Sequence, residues 1–410
     1  MKKQGKKQKQ QKTAGSSGRF VAWLKREKWG LLVLAVAAVL FAAACLRLRP
    51  EAEQALPRAD YVEYEKGVVD EVLPVGKLVQ DPASDGAWRG EQWLNVKVET
   101  GQYAGKVYLV KNYPVNPLYS VPLREGDSVI LQVDTYSAGG EVRVNIYEYN
   151  RIPILIAVVA AFFLVTLLVG RKTGLKSLVA LALTVACLFL VLLPALMRGA
   201  PTLPTVFAVC VFIAVVSFTI LGGLHRKSVC AMLGTVAGTA LALGFGLLAQ
   251  HFARIDGLRF DHMEPLLQLR QSGTPLGLRG LLVGGLVISA LGAVMDVAMS
   301  ISSALEEVHD ANPELGLKAL FRSGMNIGRD MVGTMTNTLI LAFLGSGFSL
   351  ILYLYSLSPD KYVLFSSPYM SIEVISGIAS SAGMILAIPL TAFISAALIS
   401  RKRTQAAETA

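Results

Sequence analysis

Residues 280–347 read GLLVGGLVISALGAVMDVAMSISSALEEVHDANPELGLKALFRSGMNIGRDMVGTMTNTLILAFLGSG, and they decide the fold: two membrane-length apolar stretches joined by a polar segment. The first stretch carries one acid, Asp296, well inside its apolar run. An ionised carboxylate at that depth costs about 2.5–3.5 kcal/mol on insertion scales, so its presence implies a use. Ser289, Gly292, Asp296, Ser300 and Ser303 recur every three or four residues and therefore share one helical face. The second stretch answers with Thr334, Thr336, Asn337 and Thr338. If the two helices are antiparallel neighbours, Asp296 and Asn337 each fall about six residues, roughly 9 Å, from the same end of their spans and meet at one depth. Two readings stay open. One is a proton or ion site built from Asp296, Asn337, Thr336, Thr334 and Ser300; the other is an interhelical hydrogen bond, worth about 0.6 kcal/mol, that only fixes packing.

Outward from this pair the chain repeats the theme. Apolar runs at 154–169, 175–196, 203–224, 229–249, 281–301, 331–355 and 372–399 follow a first one at 29–48, which makes about eight transmembrane helices. A hydrophobic content of 53% and a mean hydropathy of +0.51 exceed what a soluble core needs, so the expected class is an α-helical polytopic membrane protein. The net charge of +10 sits largely in the tail KKQGKKQKQQK and in short loops, which is the bias of cytoplasmic segments and not a nucleic-acid footprint. RKTGLK, LHRKS and the final RKR fall on the side of that tail, placing both termini in the cytoplasm. Residues 1–28 and 401–410 are thus expected to be cytoplasmic tails, the first one disordered, and 29–48 an uncleaved anchor in spite of its AAAC before Leu46.

Between the anchor and the seven-helix membrane domain at 152–400, residues 50–151 change character. YVEYEKGVVDEV, QWLNVKVET, KVYLVKN, DSVILQVDT and EVRVNIYEY alternate apolar and polar residues between Pro, Gly and Asp clusters. They predict a small all-β domain of five or more strands, OB-like, on the extracytoplasmic side. Its acids outnumber its bases, which speaks against nucleic acid; it reads as a contact surface for a partner or substrate, or as a rigid cap.

The remaining motifs have plainer readings. Gly234 and Gly238 have small-xxx-small spacing and, with Gly292, mark expected helix packing. Asn312, Pro313 and Glu314 read as a helix start, and Leu317, Leu320, Phe321 and Gly324 as one face of a short helix lying on the membrane surface. Pro389 is a tolerated kink, Glu373 interfacial, and His225, His251, His262 and His309 solvated. Cys45, Cys187, Cys210 and Cys230 lie in or beside apolar runs without metal or redox spacing. No P-loop, HExxH, GxSxG or dinucleotide fingerprint occurs, so neither an enzyme nor a cofactor or metal site is expected.

The stretches GGLHRKSVCAMLGTVAGT, GAVMDVAMSISSALEEVHDANP and FRSGMNIGRDMVGTMTNTLILAFLG resemble the YibE/F family of bacterial multi-pass membrane proteins over residues 154–403. That resemblance implies topology, a bacterial cell membrane and a homo-oligomer or a related membrane subunit as partner besides the lipid bilayer. An acid-bearing span, an EE-containing segment and a Thr/Asn-rich span are also similar to the core of the SecD/SecF proteins and the wider RND superfamily. Carried over, Asp296 would be the coupling acid, Thr336 and Asn337 its partners, and Ser380 and Ser381 part of the small-residue face of the last span. Seven spans after the exported domain, a single repeat and an unlike outer domain depart from that plan. The function expected is a cation-coupled membrane transporter or export accessory; the alternative is a non-transporting scaffold that presents the β-domain to a partner.

Overall fold

The computed structural model describes residues 29–48, 62–81, 87–113, 121–135, 142–255, 263–357 and 360–408. The basic tail at 1–28 and His262 lie outside these residues, as do the side chains of 401–410. The described chain divides into two compact units: 62–169 on one side, and 29–48 with 170–408 on the other. The division falls inside the first helix after the β strands, so 152–169 groups with those strands and not with the helical bundle.

In the first unit, β1 (Val62–Leu73) is long enough to serve two partners. Its first half pairs antiparallel with β6 (Ser128–Thr135), and its second half pairs with β4 (Gln92–Val98), bending at a bulge between Val69 and Glu71. β5 (Val107–Asn112) and β7 (Val142–Tyr149) complete the order β5-β4-β1-β6-β7, and β5 also contacts β7, so the sheet curls into a half-barrel. Alternation does the rest: Leu94, Val96 and Val98 on β4 and Val129, Leu131 and Val133 on β6 point inward and are completely buried. Buried amides fasten one end of this core. Gln92 Nε2 donates to the Leu123 carbonyl while its Oε1 accepts from Leu123 N–H and from Asn112 Nδ2, which also donates to the Val121 carbonyl. A separate hairpin, β2 (Leu78–Asp81) with β3 (Ala87–Gly90), interrupts the β1–β4 connection. It ends at Gly90, whose φ of +121° and whose approach to the Lys77 carbonyl exclude a side chain.

Among the described residues, six helices are long and apolar enough to cross a membrane, or seven if one bent pair counts as a span. They are α1 (Trp29–Arg47), α2 (Ile152–Cys187) with its continuation to Met197, α4 (Thr202–Gly222), α5 (Arg226–Ala253), α7 (Leu281–Ala311) and α11 (Pro368–Ser400 within Pro368–Glu408). The continuation of α2 is a π turn, Leu188–Leu192, and α3 (Leu193–Met197); α6 (Met263–Gln271) is a short helix between α5 and α7, and α10 (Lys361–Ser366) is another just before α11. The expected runs at 154–169 and 175–196 are joined without a loop, because Arg171 takes φ 47° and ψ −125° and breaks the helix in one residue.

The bent pair is α8 (Leu317–Ser346) and α9 (Phe348–Leu357), 61° apart across Gly347, where the Glu373 carboxyl of α11 packs against the glycine. Its start corrects an expectation. No separate surface helix exists at 317–324; those residues are the first turns of α8, with Leu320 and Gly324 buried. Asn312 caps the C-terminus of α7, its Oδ1 accepting from Glu314 N–H, and Gly316 precedes α8. With no proline between Gly324 and Met331, and with Gly328 packed against Ile388 of α11, the helix continues.

α5, α7, α8 and α11 form the core, and α4 covers α5 and α7. Small residues set its spacing. A Cβ on Gly238 would stand 2.5 Å from Ala387 Cβ, and one on Gly383 2.4 Å from Ala242 Cβ. Such closeness is how membrane helices gain contact where lipid is as apolar as leucine. Pro389 sits in this contact region of α11 without ending the helix.

Candidate functional site

α7 owes its two faces to spacing. Val283, Leu286, Val287, Ala290, Val294, Val297, Ile301 and Leu305 recur at three and four and are buried against α4, α5, α8 and α11. What is left is an open stripe of Gly285, Ser289, Gly292, Asp296 and Ser300, none of them buried. Asp296 makes no hydrogen bond or ion pair among the described residues. At the end of the helix Glu306 Oε2 lies 3.8 Å from Lys227 Nζ of α5, marking a polar boundary. Asp296 is about 15 Å from that pair along the helix, by the rise of an α-helix.

The expected partner is on a neighbouring helix but does not reach the acid. Leu305 Cδ1 lies 3.0 Å from a Cβ built on Gly324, and Ile301 Cδ1 3.5 Å from one on Gly328, which fixes α7 and α8 as antiparallel neighbours. Extending that register places Asp296 level with Gly333 and leaves Asn337 about one turn, ~6 Å, further along. Asn337 and Thr334 are exposed, Thr334 and Thr338 donate to the carbonyls of Met331 and Thr334, and Asn337 has no partner among the described residues. The Thr336 hydroxyl is buried and unpartnered. The faces that meet are those of Ile301 and Leu305 with Gly324 and Gly328, while Asp296 on α7 and Thr334 and Asn337 on α8 lie on exposed faces.

The other positions separate by role. Gly234 packs against Thr391, Gly238 against Ala387 and Val294. Gly292 does not pack: a Cβ there would meet nothing within 4 Å, because it lies on the open stripe and not on the buried side of α7. Ser300 is on the same stripe. Ser380 and Ser381 are buried in α11; Ser380 Oγ is 3.3 Å from Ser289 Oγ, and Ser381 donates to the Gly377 carbonyl at 2.8 Å. A second such link, Ser302 Oγ to Ser395 Oγ at 3.1 Å, escaped sequence reasoning. A serine one turn and a half past Asp296 on the apolar side of α7 was the available signal. His225 Nδ1 is 2.7 Å from the Gly222 carbonyl and His309 Nδ1 is buried, so these two are not simply solvated.

Chemically, then, the described residues offer a carboxyl group without a hydrogen bond or ion pair, inside an apolar helix and on a face of glycine and serine. A family model described as YibE/F-like protein matches residues 158–401. No curated protein and no solved structure matches the chain.

Proposed function

The chain belongs to the YibE/F-like family, and from that premise and the open stripe of α7 we propose a cation-coupled membrane transporter or export accessory with Asp296 as its coupling acid. One observation supports this most: among the described residues the Asp296 carboxyl has no counter-ion or donor, inside an apolar span where an unpaired charge is costly. A group so placed gains most when a proton or metal cation neutralises it, and it releases that cation when its surroundings become wet. Gly292 and Ser300, one turn to either side of Asp296 on the same exposed face, leave room for such a ligand, and Ser300 adds a hydroxyl to that face. The order of acid-bearing span, acidic segment and Thr/Asn-rich span, similar to the SecD/SecF and RND core, supports the same reading by analogy.

In this proposal the membrane is that of a bacterial cell, with both termini inside and the β unit outside. The strand order β5-β4-β1-β6-β7, with β5 against β7, supports an OB-like barrel for that unit.

Reconstitution into liposomes with pH-sensitive and sodium-sensitive dyes tests the proposal. Asp296→Asn keeps the shape of the side chain but cannot take up and release a cation, so gradient-driven flux is expected to vanish while the elution profile and melting stay unchanged. Equal flux in both proteins removes the coupling role. The scaffold reading is favoured by the missing Asp296–Asn337 contact. It expects Asp296→Asn to be silent in cells and deletion of residues 61–149 to abolish the phenotype.

A further inference from the structure

Where the β unit hands over to α2, the chain forms a collar with the makings of a ligand site. Asn150 fastens the joint: its Oδ1 accepts from Ile152 N–H at 3.2 Å and its Nδ2 donates to Ser128 Oγ of β6 at 2.9 Å. The first turn of α2 therefore stands in a fixed place beside β6 and β7. From Ile152 to Val169 this helix is almost wholly apolar and none of its residues is buried. A helix of that kind must be sheathed by lipid, so its first turn marks the lipid boundary and the residues around it sit at headgroup depth.

Two open grooves flank this turn, one of about 510 Å³ and one of about 410 Å³, and Tyr149, Arg151 and Leu155 line both. The larger adds Arg124, Asp127 and Ile154. The smaller adds Tyr64 and Tyr147, which are 54% and 55% exposed and stack edge to face at 4.9 Å. The charges are not equivalent. Asp127 Oδ2 is engaged by the backbone N–H of Arg124 at 2.7 Å, and Glu148 by Arg151 at 2.7 Å. The Arg124 guanidinium has no partner among the described residues and lines the larger groove.

We propose that this collar binds a membrane phospholipid, its phosphate held by Arg124 and Arg151 and one acyl chain lying along Ile154 and Leu155. Guanidinium groups match phosphate oxygens bidentately, and tyrosine presents an apolar ring with a polar tip at the depth where a headgroup meets its chains. The apolar wall decides against a free anion, which would leave Ile154 and Leu155 uncovered. Because Asp127 and Glu148 offset part of the positive charge, the phosphate diester is what is recognised, and net negative charge on the headgroup is not required. The site does not depend on Asp296 or on transport.

Full-length protein in nanodiscs of phosphatidylethanolamine and phosphatidylglycerol, released and weighed by native mass spectrometry, tests this. The expected result is at least one retained phospholipid of either headgroup that is lost in Arg124→Ala/Arg151→Ala, both exposed positions whose replacement leaves the circular dichroism unchanged. Equal lipid retention by wild type and variant overturns the proposal. So does thermal protection of delipidated protein by inorganic phosphate that disappears in the variant while lipid retention does not differ, since that marks a free-anion site.

Discussion

Gly383→Val is expected to leave little folded membrane core, a loss of about 3 kcal/mol or more, at the upper end of what overpacking costs. The reason lies in what the new side chain meets. Even its first carbon would stand 2.4 Å from Ala242 Cβ and 3.0 Å from Ala242 Cα. An alanine methyl has no other rotamer to adopt, so α5 and α11 must part by about 1 Å to restore ordinary contact distances of 3.5–4.0 Å. That parting would also loosen the Gly238–Ala387 and Gly234–Thr391 contacts along the same seam. Monodisperse elution in detergent and the thermal melting curve measure the effect. Gly292→Val is the matched control: its Cβ meets nothing within 4 Å, and its melting should equal that of wild type. A Gly383→Val protein that elutes and melts normally would show that this crossing does not set the bundle.

Leu131→Ala should cost the β unit 2–5 kcal/mol, about what large-to-small core changes cost. Leu131 is fully buried at the centre of β6, with β1 and β7 on either side, and its Cδ1 fills the space left by Gly67. Small domains hold only about 5–15 kcal/mol in all, so this one truncation removes a large share of the stability. Denaturant unfolding followed by limited proteolysis within residues 62–149 reads it out. The helical bundle has its own core and should keep its melting transition. A shift of less than about 1 kcal/mol would mean that the half-barrel repacks around the loss.

The parts of this architecture that were legible in the sequence are those governed by periodicity. Strands β1, β4, β5, β6 and β7 follow the five alternating segments, since one face of each is buried and the other is not. The β2–β3 hairpin was missed because LVQD and AWRG are too short to alternate. In the membrane part, apolar length showed where helices run, and the face carrying Asp296 was visible from its spacing of three and four. Depth was not visible. Counting from the ends of the apolar runs set Asp296 opposite Asn337, whereas Leu305 against Gly324 and Ile301 against Gly328 slide α8 by about one turn. The Gly347 bend was hidden inside an unbroken apolar run, and the Asn312–Glu314 turn imitated a helix start because capping chemistry serves either end of a connection.

Glycine facing alanine at two successive levels has a mechanical corollary. α5 and α11 are interlocked backbone to backbone, so neither can slide or rotate past the other without first separating. They behave as a single beam. Any rocking or piston-like change in the helical unit has to use looser segments. α8 is locked to α11 as far as Gly328, where a Cβ would run into Ile388 Cγ2. It buries no residue beyond that point and is jointed at Gly347, so its second half is the limb free to swing.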